Sequence, residues 1–323
     1  MNTNGLSHAL LLDRKGGAKS LSYEEIQNYD ITQGLLWVHF DYSSKEAIDW
    51  ITNLSGIDEV AIDALLTSET RPRTTILDNS ILLALRGVNL HADSDPEDMI
   101  SIRLYISEDL IISTKKRDLL SVQDIINSFK KSKGPFTSSE FLIELTDRLT
   151  SRMEGTIDDF QDRASEIEEI VIDSNNAQVR TDISKIRREV ISLRRYLSPQ
   201  KEAMHKLYND KITWISEHER IQLREITDQL IRYVEELDSI NDKVTLIQEE
   251  ILSKISEQMN QRMYVLSIIS AIFLPLGFLT GLFGINIGGL PGIENKDGFW
   301  FFTIALSAMG VGIFYLLKRS KWI

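Results

Sequence analysis

The stretch that decides the fold is residues 263–286, MYVLSIISAIFLPLGFLTGLFGIN. It contains no charged residue. As a helix rising about 1.5 Å per residue it reaches about 36 Å, enough to cross a hydrocarbon core of about 30 Å. A second uncharged stretch, residues 299–317, reaches about 28 Å and has aromatic residues near both ends, as at membrane interfaces. The sequence therefore predicts two transmembrane helices, since two adjacent runs of this kind are rare in a soluble core.

Basic residues flank the two predicted spans on the same side. They are Lys254 and Arg262 before the first span, and Lys318, Arg319 and Lys321 after the second. The predicted outer loop, residues 287–298, holds one base against two acids. Because basic flanks stay inside the cell, the pattern predicts a hairpin with both termini cytoplasmic. The N-terminal apolar run of about four residues is too short for a signal peptide, so residues 1–262 are predicted to be cytoplasmic.

The composition excludes several classes of protein. The 323 residues include 36 Lys+Arg and 48 Asp+Glu, for a net charge of −12. An acidic body repels phosphate, so no nucleic acid partner is expected. Cysteine is absent, which excludes disulfide scaffolds, thiolate zinc fingers and iron–sulfur centres. No P-loop, nucleophile elbow or HExxH motif is present, so no enzymatic activity is predicted.

The pattern before the spans predicts an α+β membrane protein with a mixed α/β cytoplasmic domain over residues 1–135. Apolar, β-branched runs alternate with helical patterns in this part, and Gly134-Pro135 closes it. The predicted strands are 35–40, 80–90, 100–106 and 110–114, and the predicted helices are 45–54 and 58–66.

Residues 136–262 predict a helical stalk. Thr137 and Glu140 have the spacing of a capping box, and Pro199 is expected to end a helix. No Gly or Pro separates the last stalk helix from the first span, so one helix of about 100 Å is predicted, with partners from its own chain or from other subunits. Its apolar seam alternates steps of three and four: Leu223, Ile226, Leu230, Tyr233, Leu237, Ile240, Val244, Ile247 and Ile251.

Acidic residues crowd the same stalk helix. They are Glu235, Glu236, Asp238, Asp242, Glu249 and Glu250. Two interpretations stay open from the sequence: a solvated helix face, or an acidic funnel that concentrates cations before a pore.

The first span carries a stripe of small or weakly polar residues with one Leu. With Asn260 and Met263 at its cytoplasmic end, the stripe continues through Ser267, Ser270, Leu274, Gly277, Gly281 and Gly284. Helix packing through small residues explains such a stripe, and so does a pore lining. Neither span contains Asp, Glu, Lys, Arg or His, so no side-chain proton carrier is evident within them.

The first span ends in Gly284-Ile285-Asn286. Gly and Asn release a helix readily, and their backbone carbonyls together with the Asn amide offer neutral oxygen dipoles. Such dipoles suit a cation that keeps its water and leaves easily. We therefore predict a weak cation-selective site at this motif.

These features together resemble the CorA superfamily of divalent-metal transporters. In the magnesium channels of that family the middle residue of the Gly-x-Asn motif is usually Met, whereas here it is Ile285. Gly-Ile-Asn followed by Gly-Gly-Leu-Pro-Gly at 288–292 resembles the zinc branch, ZntB. Three soluble segments are similar to that branch as well: ETRPR at 69–73, LRGVN at 85–89 and DPEDM at 95–99.

The resemblance implies a homopentamer in the cell inner membrane, with five first spans around one pore. It implies Zn²⁺ as the transported substrate, carried inward with protons, and no cofactor besides this cargo. It also implies that Lys318, Arg319 and Lys321 form a basic collar at the pore entrance. The alternatives are a magnesium or cobalt channel of the same superfamily, zinc efflux, and a membrane-anchored coiled-coil scaffold.

Overall fold

A mixed sheet forms the centre of the N-terminal part of the chain. The computed structural model describes residues 4–29, 34–54, 57–68, 71–91, 94–95, 97–173, 177–285 and 295–319. Two compact units divide the chain, Met1–Gln248 and Glu249–Ile323. The strands of the first unit are β1 (Leu6–Leu12), β2 (Ala18–Ser20), β3 (Leu35–Asp41), β4 (Arg73–Leu77), β5 (Ser80–Gly87), β6 (Ile100–Ile106) and β7 (Leu110–Lys115).

The strand order within the described residues is β2-β1-β3-β7-β6-β5-β4. Every neighbouring pair is antiparallel except β3 with β7, which are parallel and lie in the middle. Both central strands are almost continuously buried. Such uninterrupted apolar strands require cover on both faces of the sheet.

Helices provide that cover. On one face, Trp50 and Ile51 pack with Val38 and Phe40 in a single apolar cluster. On the other face, Trp37 contacts Phe129 and Phe141, with ring centroids 6.2 and 4.7 Å apart. The helices are α1 (Tyr23–Gln27), α2 (Lys45–Asn53), α3 (Glu59–Leu66), α4 (Leu120–Lys130), α5 (Ser138–Ser151), α6 (Glu154–Asp173), α7 (Ala177–Asn209), α8 (Glu217–Gly284) and α9 (Gly298–Arg319).

The predicted strands and helices of this domain are present, with small differences at their ends. The predicted strand 80–90 stops at Gly87, where a Cβ would lie only 2.7 Å from Cδ2 of Leu149 in α5. Thr137 caps α5 by accepting from the backbone N–H of Glu140. The Glu140 carboxylate accepts from the backbone N–H of Phe136 instead of Thr137, at 2.6 Å, so the reciprocal half of the capping box is displaced by one residue.

The prediction that Pro199 ends its helix is wrong, because α7 continues through it. A Pro inside a helix removes one N–H donor and is about 3 kcal/mol less favourable than Ala. Contacts with the sheet beyond the Pro offset this loss. Thr74 donates through its hydroxyl to the Ala203 carbonyl at 2.6 Å, and the Gln200 side chain bonds both backbone groups of Arg86 at 2.7 and 3.1 Å.

The apolar seam of α8 is buried throughout, with each of its nine residues at most 8% exposed. In the N-terminal unit the cover comes from α6 and α7 of the same chain. The polar contacts that border the seam are Lys243 with Ser165 (3.0 Å) and Glu168 (2.8 Å) of α6, and Asp238 with Arg194 and Gln248 with Arg187 of α7. The sequence left open whether the partners of this helix come from its own chain or from other subunits. For this part of the seam, partners from its own chain are confirmed.

A buried polar chain crosses the centre of the sheet. The Ser113 hydroxyl accepts from the Trp37 indole N–H at 2.8 Å and lies 2.7 Å from Nδ1 of His39. His39 is 1% exposed. Burial, with a contribution from the nearby Lys115, holds the pKa of His39 well below its ordinary value of 6.5. The imidazole is therefore neutral in the folded protein.

This burial predicts a pH-dependent stability. Because the unfolded chain takes up a proton at His39 as the pH falls through about 6.5 and the folded chain does not, the contribution of His39 to stability is full above that pH and is lost below it. The purified protein should show a lower Tm at pH 5 than at pH 7. His39→Gln, which keeps a hydrogen-bonding side chain but does not titrate, should shrink that difference. Exposed His205→Gln serves as the control, and equal pH dependence in all three proteins would contradict the prediction.

Candidate ion pathway along helix α8

Helices α8 and α9 both contain a segment long and apolar enough to cross a bilayer. These segments lack burial within the chain, so the second unit presents apolar surface to its surroundings. A bilayer is the solvent that such surface requires. The two predicted spans thus lie in two helices, as the sequence analysis expected.

Helix α9 covers one face of α8. The rings of Phe283 and Phe302 lie 5.0 Å apart, and Cδ1 of Leu276 approaches within 3.7 Å of the position that a Cβ on Gly310 would take. The half-buried residues of α8 in this region all fall on the covered face: Ile268, Ala271, Ile272, Pro275, Leu276 and Leu279. Leu276 over Gly310 shows that a small residue on α9 permits the close approach.

The predicted stripe lies on the other side of α8. At about 100° per residue, its centre is about 160° from the centre of the covered face. Leu274 is 72% exposed, and no heavy atom beyond the helix's own turn lies within 4 Å of a Cβ position at Gly277, Gly281 or Gly284. Packing between the two spans of one chain therefore does not explain the stripe. Within the described residues, nothing of this chain beyond the helix itself covers these glycines.

The two serines of the stripe are hydrogen-bonded within α8. Ser267 donates to the Met263 carbonyl at 2.8 Å and Ser270 donates to the Leu266 carbonyl at 2.9 Å. Each hydroxyl proton is thus used inside the helix, while the oxygen keeps acceptor capacity on the exposed surface. The stripe offers neutral acceptors without any charged group.

Part of the predicted selectivity motif can be located. Gly284 is the last residue of α8, and Ile285 follows it with 44% of its surface exposed. Asn286 and Lys321 lie outside the described residues, so their predicted roles remain predictions. Lys318 and Arg319 occupy the last turn of α9 and are exposed. At the N-terminal end of the stripe, Asn260 and Met263 are exposed as well.

The six acidic residues predicted on α8 differ in their exposure and in their ion pairs. Glu235, Glu236, Asp242 and Glu249 are exposed. Asp238 forms an ion pair with Arg194, which the sequence analysis missed because the two residues are far apart in the chain. Glu250 pairs with Lys254 one turn later at 3.2 Å.

The pKa of Tyr233 is shifted by its burial and by the carboxylates of this acidic surface. Burial raises the pKa of Tyr233, and the neighbouring carboxylates of Glu154, Glu236 and Asp158 raise it further. Carboxylates of α6 therefore contribute to the field at α8, although only the α8 acids were singled out from the sequence. The described part of the chain contains no cluster of three or more His, Cys, Asp or Glu suited to hold a metal ion.

Comparison with known proteins assigns the family. The model of the family described as CorA-like Mg²⁺ transporter protein matches residues 32–319. The zinc transport protein ZntB of Yersinia enterocolitica is 33% identical over 312 residues, which cover 97% of this chain and 94% of that protein. The divalent cation transporter CmaX of Pseudomonas aeruginosa is 34% identical over 322 residues, covering 99% and 97%. The solved structure of full-length CmaX matches with a TM-score of 0.85 at 34% identity, covering 99% of this chain and 98% of that one.

The fold and the two apolar helices define a membrane protein with a large N-terminal α/β unit. The chain belongs to the CorA-like family of metal transporters. The resemblance inferred from the Gly-Ile-Asn motif and the soluble segments is confirmed by these relatives, and so is the predicted fold class.

The uncovered stripe leads to a matched pair of variants. Gly281 in α8 and Gly312 in α9 both have open space at the Cβ position, so a Leu at either site causes no clash within the chain. We expect Gly281→Leu to abolish oligomer assembly or metal flux, because bulk there blocks close helix approach, and Gly312→Leu to retain both. Light scattering in detergent and flux into proteoliposomes measure the two properties. Identical behaviour of the two variants would remove any specific role for the stripe.

Proposed function

We propose that this member of a divalent-cation transporter family carries Zn²⁺ across the bacterial inner membrane through a homopentameric pore. The observation that carries the proposal is the stripe from Met263 to Gly284, which faces away from α9 and leads to the Gly-Ile-Asn motif. Five copies of α8 around an axis would give this face a partner and enclose a pore with neutral oxygen acceptors. Such a lining holds a hydrated cation weakly, which conduction requires.

The acidic surface of α8 supports cation entry from the soluble side. Exposed carboxylates at Glu235, Glu236 and Asp242 raise the local concentration of cations by long-range attraction. Because Asp238 is neutralised by Arg194, we assign attraction to the exposed acids and not to the whole predicted set. Glu249 and the Lys254-paired Glu250 belong to the second unit and are proposed to act in the same way.

The orientation and the driving force complete the proposal. The basic residues Lys318 and Arg319 at the end of α9 support cytoplasmic termini, since such flanks stay inside. With Lys321 they would form the collar at the pore entrance. We propose zinc uptake coupled to protons. Since the spans hold no Asp, Glu, Lys, Arg or His, the coupled proton would move with water in the pore and not along a relay of such side chains.

Two rival functions have specific support. The description of the matching family model names Mg²⁺ as the transported ion, which favours a magnesium or cobalt channel. The identity with ZntB and Ile285 at the middle of the motif favour zinc, in either direction of transport. A membrane-anchored scaffold needs only an apolar anchor and gives no reason for an uncovered stripe of Gly and Ser.

Metal flux into proteoliposomes separates these functions. We expect Zn²⁺ uptake that exceeds Mg²⁺ and Co²⁺ uptake and that rises when the external pH is below the internal pH. Protein-free vesicles are the control. Mg²⁺ flux without Zn²⁺ flux would establish the magnesium-channel alternative. Loss of Zn²⁺ from loaded vesicles in exchange for protons that enter down an inward gradient would favour zinc efflux. If correctly assembled oligomers carry no metal at all, the scaffold hypothesis would be the one that remains.

Asn286 provides the sharpest variants of the proposed selectivity site. Asn286→Ala removes the amide dipole, and we expect strongly reduced Zn²⁺ uptake with assembly retained. Asn286→Asp keeps the size but adds a charge, so the apparent affinity should rise while the maximal flux falls, because tighter ligation slows release. Concentration dependence of uptake measures both quantities. Parental transport by both variants, with normal oligomers, would place the selectivity element elsewhere.

A further inference from the structure

Two neighbouring helices of the N-terminal unit carry opposite charge. Helix α6 contains eight acids and one base, whereas α7 contains eight bases and three acids. A basic helix stands out in a chain of net charge −12. Ion pairs between the two helices neutralise few of these charges, and most of them lie on exposed faces.

The acids of α6 form a line on its outer face. Five of them recur in steps of four, four, four and three residues, a spacing that keeps side chains on one side of a helix. This acidic stripe consists of Glu154, Asp158, Asp162, Glu166 and Glu169, all exposed. Its centre is about 180° from the buried face that contains Ile157, Phe160 and Ala164. Among the described ion pairs, none includes a member of the stripe. Like charges one turn apart repel, so the single chain gains nothing from this arrangement.

The outer face of α7 carries a complementary line. Its basic stripe consists of Arg180, Ser184, Arg188, Ile191 and Arg195, spaced by four, four, three and four residues and exposed throughout. Arg180 and Arg188 take part in no ion pair within the described chain. Ile191, at the middle of the stripe, is 50% exposed. Both stripes are about 22 Å long. An exposed apolar residue among arginines is typical of a protein contact and is of no use in holding counterions.

Helices α6, α7 and α8 contact one another in pairs. Helix α8 contacts α6 through Lys243 and α7 through Asp238, and Arg163 of α6 pairs with Glu189 of α7 at 2.8 Å. On α6 and on α7 the stripe faces outward from this shared core. A protomer with its α8 toward a central axis would therefore present acids on one side and bases on the other.

We propose that the acidic stripe of one protomer binds the basic stripe of the next protomer of the same protein. This inference rests on the proposed function only in assuming a ring of identical subunits. The contact is heterologous, meaning that two different surfaces meet, and it repeats around a ring until the ring closes. Each chain carries one stripe of each sign, and the two stripes have the same length of about 22 Å, with five carboxylates opposite three guanidinium groups.

A second copy of the chain fits both stripes, and other partners fit one of them. Anionic lipid headgroups would attract the arginines but leave five repelling carboxylates without a partner. Bound cations would satisfy the acids but leave Arg180, Arg188 and the exposed Ile191. Only a subunit with the same pair of surfaces satisfies both at once, because opposite charges face each other at every junction.

Cross-linking of the full-length protein tests the contact. The natural chain has no Cys, so thiol reagents act only at introduced sites. Asp162→Cys with Arg188→Cys in one chain, treated with a short bismaleimide in detergent, should give a ladder of covalent dimers and larger species on denaturing gels. Each single variant should stay monomeric, because unlike surfaces meet. Dimers from the single variants, or no ladder from the double variant, would overturn the proposal.

Charge reversal provides an independent measurement. At low salt, Asp162→Arg and Arg188→Asp should each reduce the assembled fraction in detergent by at least about twofold, and the double variant should restore it, because each junction regains opposite charges. Lys133→Asp is the control, because Lys133 is exposed, lies outside both stripes and takes part in no described ion pair. No recovery in the double variant, or equal loss in the control, would count against the contact, as would an effect seen only with anionic lipid.

Transport measurements keep this inference separate from the proposed function. Zn²⁺ flux is measured on the parent protein, whose two stripes are unaltered, and the ladder is measured on the double-Cys variant. If flux persists while no ladder forms, the stripe contact is wrong and the transport proposal stands. If the parent moves no Zn²⁺ but the ladder forms, the transport proposal is wrong and the contact stands.

Discussion

A helix can bury only part of its circumference within its own chain, and this limit governs α8. Within the N-terminal unit its seam is covered by α6 and α7, and in the second unit its face around Leu276 is covered by α9. The surfaces that remain include exposed acids in the soluble part and, in the apolar part, the stripe of small or weakly polar residues beside large exposed side chains such as Phe273 and Phe278. What α8 offers to its surroundings is therefore fixed by what the described part of its own chain leaves uncovered.

Charge is divided between the two parts of the chain in a way that suits ion passage. Carboxylates such as Glu235 and Asp242 attract cations over distances near the Debye length, about 8–10 Å at ordinary salt. The spans have no charge, and Ser267 and Ser270 present hydroxyl oxygens whose protons are already used. Attraction without tight ligation lets a dication arrive quickly and leave quickly, whereas a tetrahedral His or carboxylate site would hold it.

The sequence predicted the local features well and the long-range ones poorly. Periodicity located four of the seven described strands, the seam and the two spans, because burial imposes a period of two or 3.6 on apolar residues, and it missed β1, β2 and β4. It failed at Pro199, where contacts of Gln200 and Thr74 with distant parts of the chain outweigh the loss of one hydrogen bond. It also missed the Arg194–Asp238 pair, since nothing local links two residues on different helices.

For the candidate site, the stripe was evident from spacing, but the sequence left open whether α9 or the outside faces it. The geometry of α9 against Leu276 and Phe283 decides that question for the described part of the helix. The role of Asn286 rests on the motif and the family, because that residue lies outside the described residues.

The distribution of the core along the chain also sets an order of events during synthesis. The last strand of the described sheet ends at Lys115, so the sheet has all its strands long before α8 exists. The apolar faces of α6 and α7, by contrast, are completed by the part of the α8 seam that runs from Leu223 to Ile247 in the same unit. Helix α6 ends at Asp173, so at about 5–20 residues per second the ribosome needs roughly 4–15 s to make the segment from there to Ile247. For that time the nascent chain exposes an unfinished helical layer, and the first span follows in the same helix as the segment that closes it. Anything that protects this chain as it is made has to act in that interval.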